Sequence, residues 1–423
     1  MTATISTTNP ALEQPGPAIV PDFCLPVDVD RRAARERLAR LRRTLADHDV
    51  GAAVFFDAVN IRYACGVRNM QLNTTRNPGR YVFVPVEGPV VLFEYRSCAH
   101  LAEGYETVDE VRAAQGLHPF YGGDHYRDHL VAFVDDIGEL MARCGLIGQR
   151  LGIERSPVEA VPALLAAGFD VVDASPVIDR AKSIKTPTEL ELIRASVAGT
   201  EAAVAFMEQQ LVPGRSENEV WAELHRALIA GGGEYLETRL FNSGPKTNPW
   251  FQEAGSKIIE AGELVCLDTD AVGCHGYYTD LSRTFLAGDV PATDRQHELY
   301  SLAYEQLQHN IDLVEVGMSF REYAERAWAI PEEFVDHRYL GPLHGNGMVA
   351  EYPIILYPDL FDAAGTDGVF EANMTVCVES YLGSDRGGEG VKLEDQILVT
   401  NSGVERLTTY PFEDRLLRPR TRA

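Results

Sequence analysis

The sequence predicts an α/β unit followed by an α+β unit, and three observations lead to that division. Short apolar strands alternate with amphipathic helices as far as Asp179, the pattern of an α/β layer. Beyond Ala181 two long helices are followed by a strand-rich remainder. Within that remainder three aspartates, Asp268, Asp270 and Asp280, stand inside an apolar hairpin, where strands ordinarily reject them. A chain of 423 residues is too long for one core and fits two or three domains. The boundaries fall at 1–26 for a flexible N-terminal arm, 27–180 for the α/β domain and 181–423 for the second domain.

The arm has neither a basic start nor an apolar run, so no signal peptide is expected there. Leu38, Leu41 and Leu45 recur at helical spacing between Val29 and Asp47, and the apolar run from Gly51 reads as a strand. The segment from Asn60 to Arg80 is polar and rich in turn residues. A strand pair follows from Tyr81, joined at Glu87-Gly88-Pro89. A helix from about His125 to Cys144 leads to strand RLGIE, helix SPVEAVPALLAAG and strand FDVVDAS. In the second domain Thr186 with Glu189, and Pro187 between them, make a capping box that opens a long helix. Ser216 with Glu219 repeats the device for a helix ending at Gly231-Gly232-Gly233. Further helices are expected from about Thr293 to Val314 and from Ser319 to Trp328.

Apolar residues make up 45% of the chain and charged residues 24%, as in an ordinary soluble globule. The formal net charge of −25 argues against nucleic acid or an anionic membrane as partner. No apolar run approaches the roughly 18 residues needed to span a bilayer. Seven cysteines, an odd number with no CxxC pair, read as reduced, buried thiols of a cytoplasmic protein.

The aspartates point to chemistry. The run ELVCLDTD from Glu263 reads as one strand and DLSRTFL from Asp280 as the next, so the hairpin returns Asp280 beside Asp268 and Asp270. An unpaired buried carboxylate costs on the order of several kcal/mol, so three together call for a cation. His344 lies between glycines in GPLHGNGM, Glu379 follows the apolar run MTVCV, and Glu394 sits inside GVKLEDQILV. Lys392, Arg386 and Arg283 are the partners the chain itself could offer. Together, three Asp, one His and two Glu make an oxygen-rich donor set suited to two divalent ions such as Fe, Mn or Zn.

In this order, with GYYTDLSRTF, HGNG and LEDQILVTNSGVERLT, these residues resemble the M24 superfamily over about Ala181 to Phe412. That is the pita-bread fold of methionine aminopeptidase, prolidase, aminopeptidase P and creatinase, and a creatinase-type N-terminal domain fits the earlier half. The resemblance implies a homodimer acting on a small molecule, with Asp268, Asp270, Asp280, His344, Glu379 and Glu394 as metal ligands. Xaa-Pro peptidases carry further histidines, where this chain has Asn248-Pro249-Trp250 and Glu351; creatinase lacks the carboxylates kept here. The DTD hairpin and the NPWFQEAG approach are similar to the dimethylsulfoniopropionate (DMSP) lyase branch, in which Tyr339 corresponds to a substrate-pocket tyrosine. One departure concerns the base: that branch has an aspartate six residues after the ligand histidine, and here Ala350 stands there. Asn73 likewise stands where an aromatic is expected.

The reading is a dinuclear-metal enzyme that is not a peptidase and acts on a small carboxylate substrate, by DMSP-lyase-type β-elimination to dimethyl sulfide and acrylate. Tyr339, Glu351 and Glu379 are its candidate catalytic residues, and Trp250, Tyr339 and Tyr352 its candidate substrate-binding residues, their faces holding a sulfonium cation. The alternatives are an Xaa-Pro metallohydrolase with Glu379 as proton shuttle, and a non-catalytic binding protein on the same fold.

Overall fold

The computed structural model describes residues 20–417, so the expected arm lies outside the described residues except for 20–26. Six short strands form the first sheet: β1 (Ala52–Phe55), β2 (Tyr81–Pro85), β3 (Val91–Glu94), β4 (Glu110–Ala113), β5 (Leu151–Glu154) and β6 (Val171–Asp173). Their order is β4-β3-β2-β1-β5-β6, with β1 antiparallel to β2 and parallel to β5. The central strands are apolar on both faces because both faces are covered. Val54, Phe83 and Phe93 share a core with Phe133 and Ile137 of the helix Tyr126–Arg143. On the other face Phe55, Val82 and Val84 share one with Leu38, Leu41 and Leu45 of the helix Val27–Asp47.

The segment from Asn60, expected to be turn, is instead largely helical, over Ala58–Cys65 and Gln71–Arg76. Asp57 caps the first helix by accepting the amides of Val59 and Asn60, and Gly66 ends it at φ 81°. Asn60 and Arg62, which make the segment look polar, are buried and bonded to Glu154 and Glu234. Their letters hid a buried helix.

Both predicted capping boxes are present, at Thr186/Glu189 for the helix Pro187–Glu208 and at Ser216/Glu219 for Glu217–Ala230. A third, Thr293 with Gln296, opens the helix Asp294–Leu313. The remaining strands are β7 (Tyr235–Leu236), β8 (Phe241–Ser243), β9 (Leu264–Asp268), β10 (Ala271–Val272), β11 (Tyr278–Thr279), β12 (Ser282–Leu286), β13 (Leu343–Asn346), β14 (Ala350–Ile355), β15 (Thr375–Gly383), β16 (Gly390–Thr400) and β17 (Gly403–Arg406). They form an antiparallel sheet ordered β14-β13-β15-β16-β12-β9-β8, with β17 on β16, and a small sheet β11-β10-β7 that prolongs the β9–β12 hairpin.

Alternation along these strands separates core from site. Val376, Val378 and Leu393 pack on Leu299, Ala303 and Leu307 of one helix, and Val265 and Leu267 pack against Val204 and Leu224 of the other two. The residues between them, including Asp268, Glu379, Lys392 and Glu394, face the opposite side. Arg283 shows what a charge needs on the helix-covered face: it donates to Asp395 Oδ1 at 2.8 Å and to the Glu394 and Tyr410 carbonyls at 2.7 Å and 3.0 Å. Replacing it with Met leaves the buried Asp395 carboxylate with Arg406 and the Thr408 hydroxyl as its side-chain donors among the described residues. Arg283→Met is expected to cost about 3 kcal/mol, read as a lower urea midpoint at an unchanged m-value.

Candidate metal centre and its cavity

Cross-strand register builds the site. Asp268 on β9 stands opposite Ser282 on β12, Ser282 opposite Glu394 on β16, and Glu394 opposite Glu379 on β15. Residues directly opposite share a sheet face, so one row crosses four strands. His344 on β13 pairs with Cys377, two residues before Glu379, and joins the same face. Asp270 and Asp280 sit where the hairpin passes from the large sheet into the small one. Oxygens of Asp268, Asp270 and Asp280 lie within 4.8 Å of one another, as do ligand atoms of Asp280, His344, Cys377 and Glu394. His344 Nε2 is 3.4 Å from Glu379 Oε1 and 3.7 Å from both Asp280 Oδ2 and Glu394 Oε1. All six residues singled out as ligands in the sequence are thus brought together.

One cation of the chain's own lies among them. Lys392, two residues before Glu394, is fully buried, with Nζ 2.7 Å from Glu379, 3.0 Å from Glu394 and 3.2 Å from Asp268. Of the three in-chain partners considered, it alone reaches these carboxylates; Arg283 is spent on Asp395. Five carboxylates against one ammonium leave four negative charges while the imidazole is neutral, the charge of two divalent cations. Without them the three aspartates are driven toward their protonated forms. Burial, then Glu394 and the neighbouring aspartates, push Asp280 well above the usual carboxylate range, and burial with Asp268 pushes Asp270 up to about 7. Burial also raises Asp268. Burial and Glu379 act to raise Glu394, yet Lys392 and His344 hold it below its ordinary value. For His344, burial works against the charge, but Glu379 and Glu394 prevail and hold the imidazole well above its ordinary range.

The donor set fits divalent metal. Asp268 Oδ1 and Glu394 Oε1 are buried with no hydrogen-bond partner, so lone pairs are free where the carboxylates meet. His344 Nδ1 is 2.9 Å from the Gly345 carbonyl, a contact that fixes the proton there and leaves Nε2 as the ligand atom. Tyr278 donates to Asp270 Oδ1 at 2.6 Å, Thr238 donates to its other oxygen, and Ser282 donates to Glu394 Oε2 at 2.8 Å. Cys377 also belongs to the cluster; burial holds its thiol well above the ordinary value, so it stays protonated.

A cavity of about 780 Å³ opens onto Asp270, Asp280 and His344, and its wall includes Asp57, Asn60 and Arg155 from the first half of the chain. Tyr339 lines it, stacked on Phe251 with centroids 5.3 Å apart and with Lys392 Nζ 4.8 Å from its ring. Trp250 is buried, 5.8 Å from the same ammonium, and is not part of the cavity wall. Tyr352 does line the cavity but packs edge-on against Phe320 at 6.0 Å. The three aromatics therefore do not close into one cage, because Lys392 already occupies the faces of two of them. Ala350 lines the cavity, and Asn73 does not, although Thr75 from the same helix does. Glu351 reaches the wall anchored to Lys185, with Lys182 at 3.8 Å, which fixes it to the end of the helix Ser175–Ser183.

Sequence reasoning missed Glu237. It lines the cavity, its carboxylate has no hydrogen bond or ion pair among the described residues, and burial with Asp270 and Asp57 pushes it up to about 7. The signal was available, since a glutamate in the apolar run YLETRLF deserved the argument applied to Glu379 and Glu394.

In chelated protein Lys392→Met is expected to cost about 3 kcal/mol or more at pH 8. The cost shrinks at pH 6, because acids whose pKa is raised to about 7 or beyond take up protons and relieve the repulsion. Thermal melts of the variant and the parent at the two pH values check this.

Residues 191–401 match the family model described as metallopeptidase family M24, and residues 37–184 match the creatinase/prolidase N-terminal domain. The chain is 36% identical to dimethylsulfoniopropionate lyase DddP of Roseovarius nubinhibens, over 92% of this chain and 88% of that protein. It is 34% identical to the protein of the same name from Roseobacter denitrificans, over 92% and 89%. A Xaa-Pro dipeptidase of Pyrococcus furiosus is 29% identical over 55% of this chain and 65% of its own. Among solved structures, a Xaa-Pro dipeptidase from Bacillus anthracis superposes with a TM-score of 0.71 at 22% identity, covering 90% of this chain and 99% of that one.

Proposed function

We propose that this chain, which belongs to metallopeptidase family M24 and is a metal-dependent enzyme, is a lyase that cleaves a small β-sulfonium carboxylate of the DMSP kind. The supporting observation is the row of carboxylates with its imidazole, open on one side to a cavity and joined there by a partnerless acid, in a chain similar over nearly its whole length to two DMSP lyases. Asp268, Asp270, Asp280, His344, Glu379 and Glu394 would hold two divalent ions, Fe, Mn or Zn.

When bound, such ions draw electron density from a substrate carboxylate and so acidify the hydrogen on its α-carbon. The rest falls to the chain's own groups. Ala350 cannot take that proton, and Glu351 is tied to Lys185. Glu237 can: among the described residues its carboxylate has no partner, it faces the cavity, and with its pKa pushed up to about 7 it can both take up and release a proton near neutral pH, the profile of a general base. As the α-hydrogen passes to Glu237, its electron pair forms the α–β double bond and the β-carbon–sulfur bond breaks. Dimethyl sulfide leaves with the electron pair of the broken carbon–sulfur bond, and acrylate remains. The Tyr339 hydroxyl, raised well above its ordinary range chiefly by burial, stays protonated and can donate to the substrate carboxylate.

Hydrolysis of Xaa-Pro dipeptides is the second reading, supported by the dipeptidase relative. Against it, His344 is the only histidine of the cavity wall among the described residues, which offer no second imidazole there to stabilise a tetrahedral intermediate.

The purified protein offered DMSP and a panel of Xaa-Pro dipeptides is expected to release dimethyl sulfide, followed by gas chromatography, and no free amino acid; the opposite result favours the hydrolase. Glu237→Gln is expected to lower kcat by about 100-fold or more with metal content unchanged, and Ala350→Asp to raise the lyase rate. Metal binding must displace the protons on His344 and on Asp270, so metal retained after dialysis should fall as pH drops through about 7, as elemental analysis would show.

A further inference from the structure

The hairpin that carries Asp270 and Asp280 ends in a tip with a feature of its own. Cys274 opens the turn Cys274–Gly276 between β10 and β11, and its Sγ lies 2.8 Å from Cys24 Sγ, 250 residues earlier in the chain. That is well inside non-bonded contact of two sulfur atoms, and a further approach to about 2.05 Å would complete a disulfide. The surroundings seat both sulfurs. Cys24 Sγ donates to the Gly232 carbonyl at 3.3 Å, and Cys274 Sγ lies 3.8 Å from that of Gly231. Gly232 is left-handed at φ 89°, and a Cβ there would meet Cys24 Sγ at 2.5 Å, so only glycine admits this arrangement. The segment before Cys24 is laid along the same helix end: Phe23 N–H bonds to the Gly231 carbonyl, and Val20 packs in the core that holds Leu224 and Leu228. Cys24 is exposed while Cys274 is buried, which corrects the expectation that all the cysteines are buried and gives a solvent-borne reagent one point of entry.

We propose that Cys24 and Cys274 are a modification site: a dithiol that a low-molecular-weight disulfide oxidises to an intramolecular disulfide, tying the N-terminal segment to the tip of the site hairpin. The exposed Cys24 thiolate attacks the reagent's S–S bond, forming a mixed disulfide and expelling one thiolate. Cys274, beside it, then attacks the Cys24 sulfur and expels the second. The protein loses two electrons and two protons, and the reagent is reduced to two thiols that carry those protons. The strands reaching Asp270 and Asp280 are thereby anchored covalently at their far end. This inference does not depend on which reaction the site performs.

The test uses the full chain, reduced and then treated with oxidised glutathione at pH 8, with thiols counted after denaturation and the mass measured. Seven thiols are present at the start. The parent is expected to lose two thiols beyond any lost by Cys24→Ser, with the mass of two hydrogens gone. A peptide containing Cys24 should be linked to one containing Cys274, a link absent in Cys274→Ser and reversed by reductant. The oxidised parent should melt at a higher temperature than the reduced one, with no such difference in Cys24→Ser. An equal thiol loss in the parent and in Cys24→Ser would overturn the proposal, as would a glutathione adduct left standing on Cys24. Cys24→Ser changes an exposed side chain, so the comparison survives even if Cys274→Ser fails to fold.

Discussion

Like charges brought onto one face of a sheet repel, and the second half of this molecule is arranged around tolerating that repulsion. The row Asp268, Ser282, Glu394, Glu379 is fixed by backbone hydrogen bonds across four strands, so the carboxylates cannot move apart without breaking the sheet. What remains is to supply positive charge or protons. Lys392 gives one charge, His344 can carry another, and the raised carboxyl groups take up protons when nothing else is offered. A donor set that must protonate in isolation is ready to exchange protons for metal.

The neighbouring layer keeps this geometry from relaxing. Thr238 and Tyr278 hold both oxygens of Asp270, Ser282 bridges Lys392 and Glu394, and on the reverse face Arg283 grips the Glu394 carbonyl and Asp395. Arg37, fully buried in the helix Val27–Asp47, donates to the Tyr277 hydroxyl at 2.8 Å and thereby fastens the first half of the chain to the hairpin. The cavity wall is drawn from both halves, which meet at the hairpin and again where the helix Val27–Asp47 packs on the helix Pro187–Glu208.

Much of this was legible in the sequence because it obeys a period. Capping boxes at Thr186 and Ser216 placed the starts of two helices to the residue, and carboxylates in apolar strands marked the site, since alternation sends Asp268, Glu379 and Glu394 to one side while their neighbours fill the core. Legibility failed where burial depends on distant partners. Asn60 and Arg62 look like loop residues until Glu154 and Glu234 arrive from elsewhere in the chain. Trp250 and Tyr339 read as an open aromatic cage until a lysine fills it. Glu351 reads as a free acid beside Ala350 until Lys185 claims it, and Glu237 becomes conspicuous only once the cavity is seen. The proximity of Cys24 to Cys274 has no local signature at all.

Lys392 has one more implication. Many metal sites leave their polypeptide unable to fold until the ion arrives, because nothing else offsets the ligands. Here an ammonium group built into β16 lies among three of the acids and is delivered by the same strand pairing that assembles them. Part of the repulsion is thereby offset within the polypeptide itself, so the strand pairing leans less on bound ions than a row of bare carboxylates would.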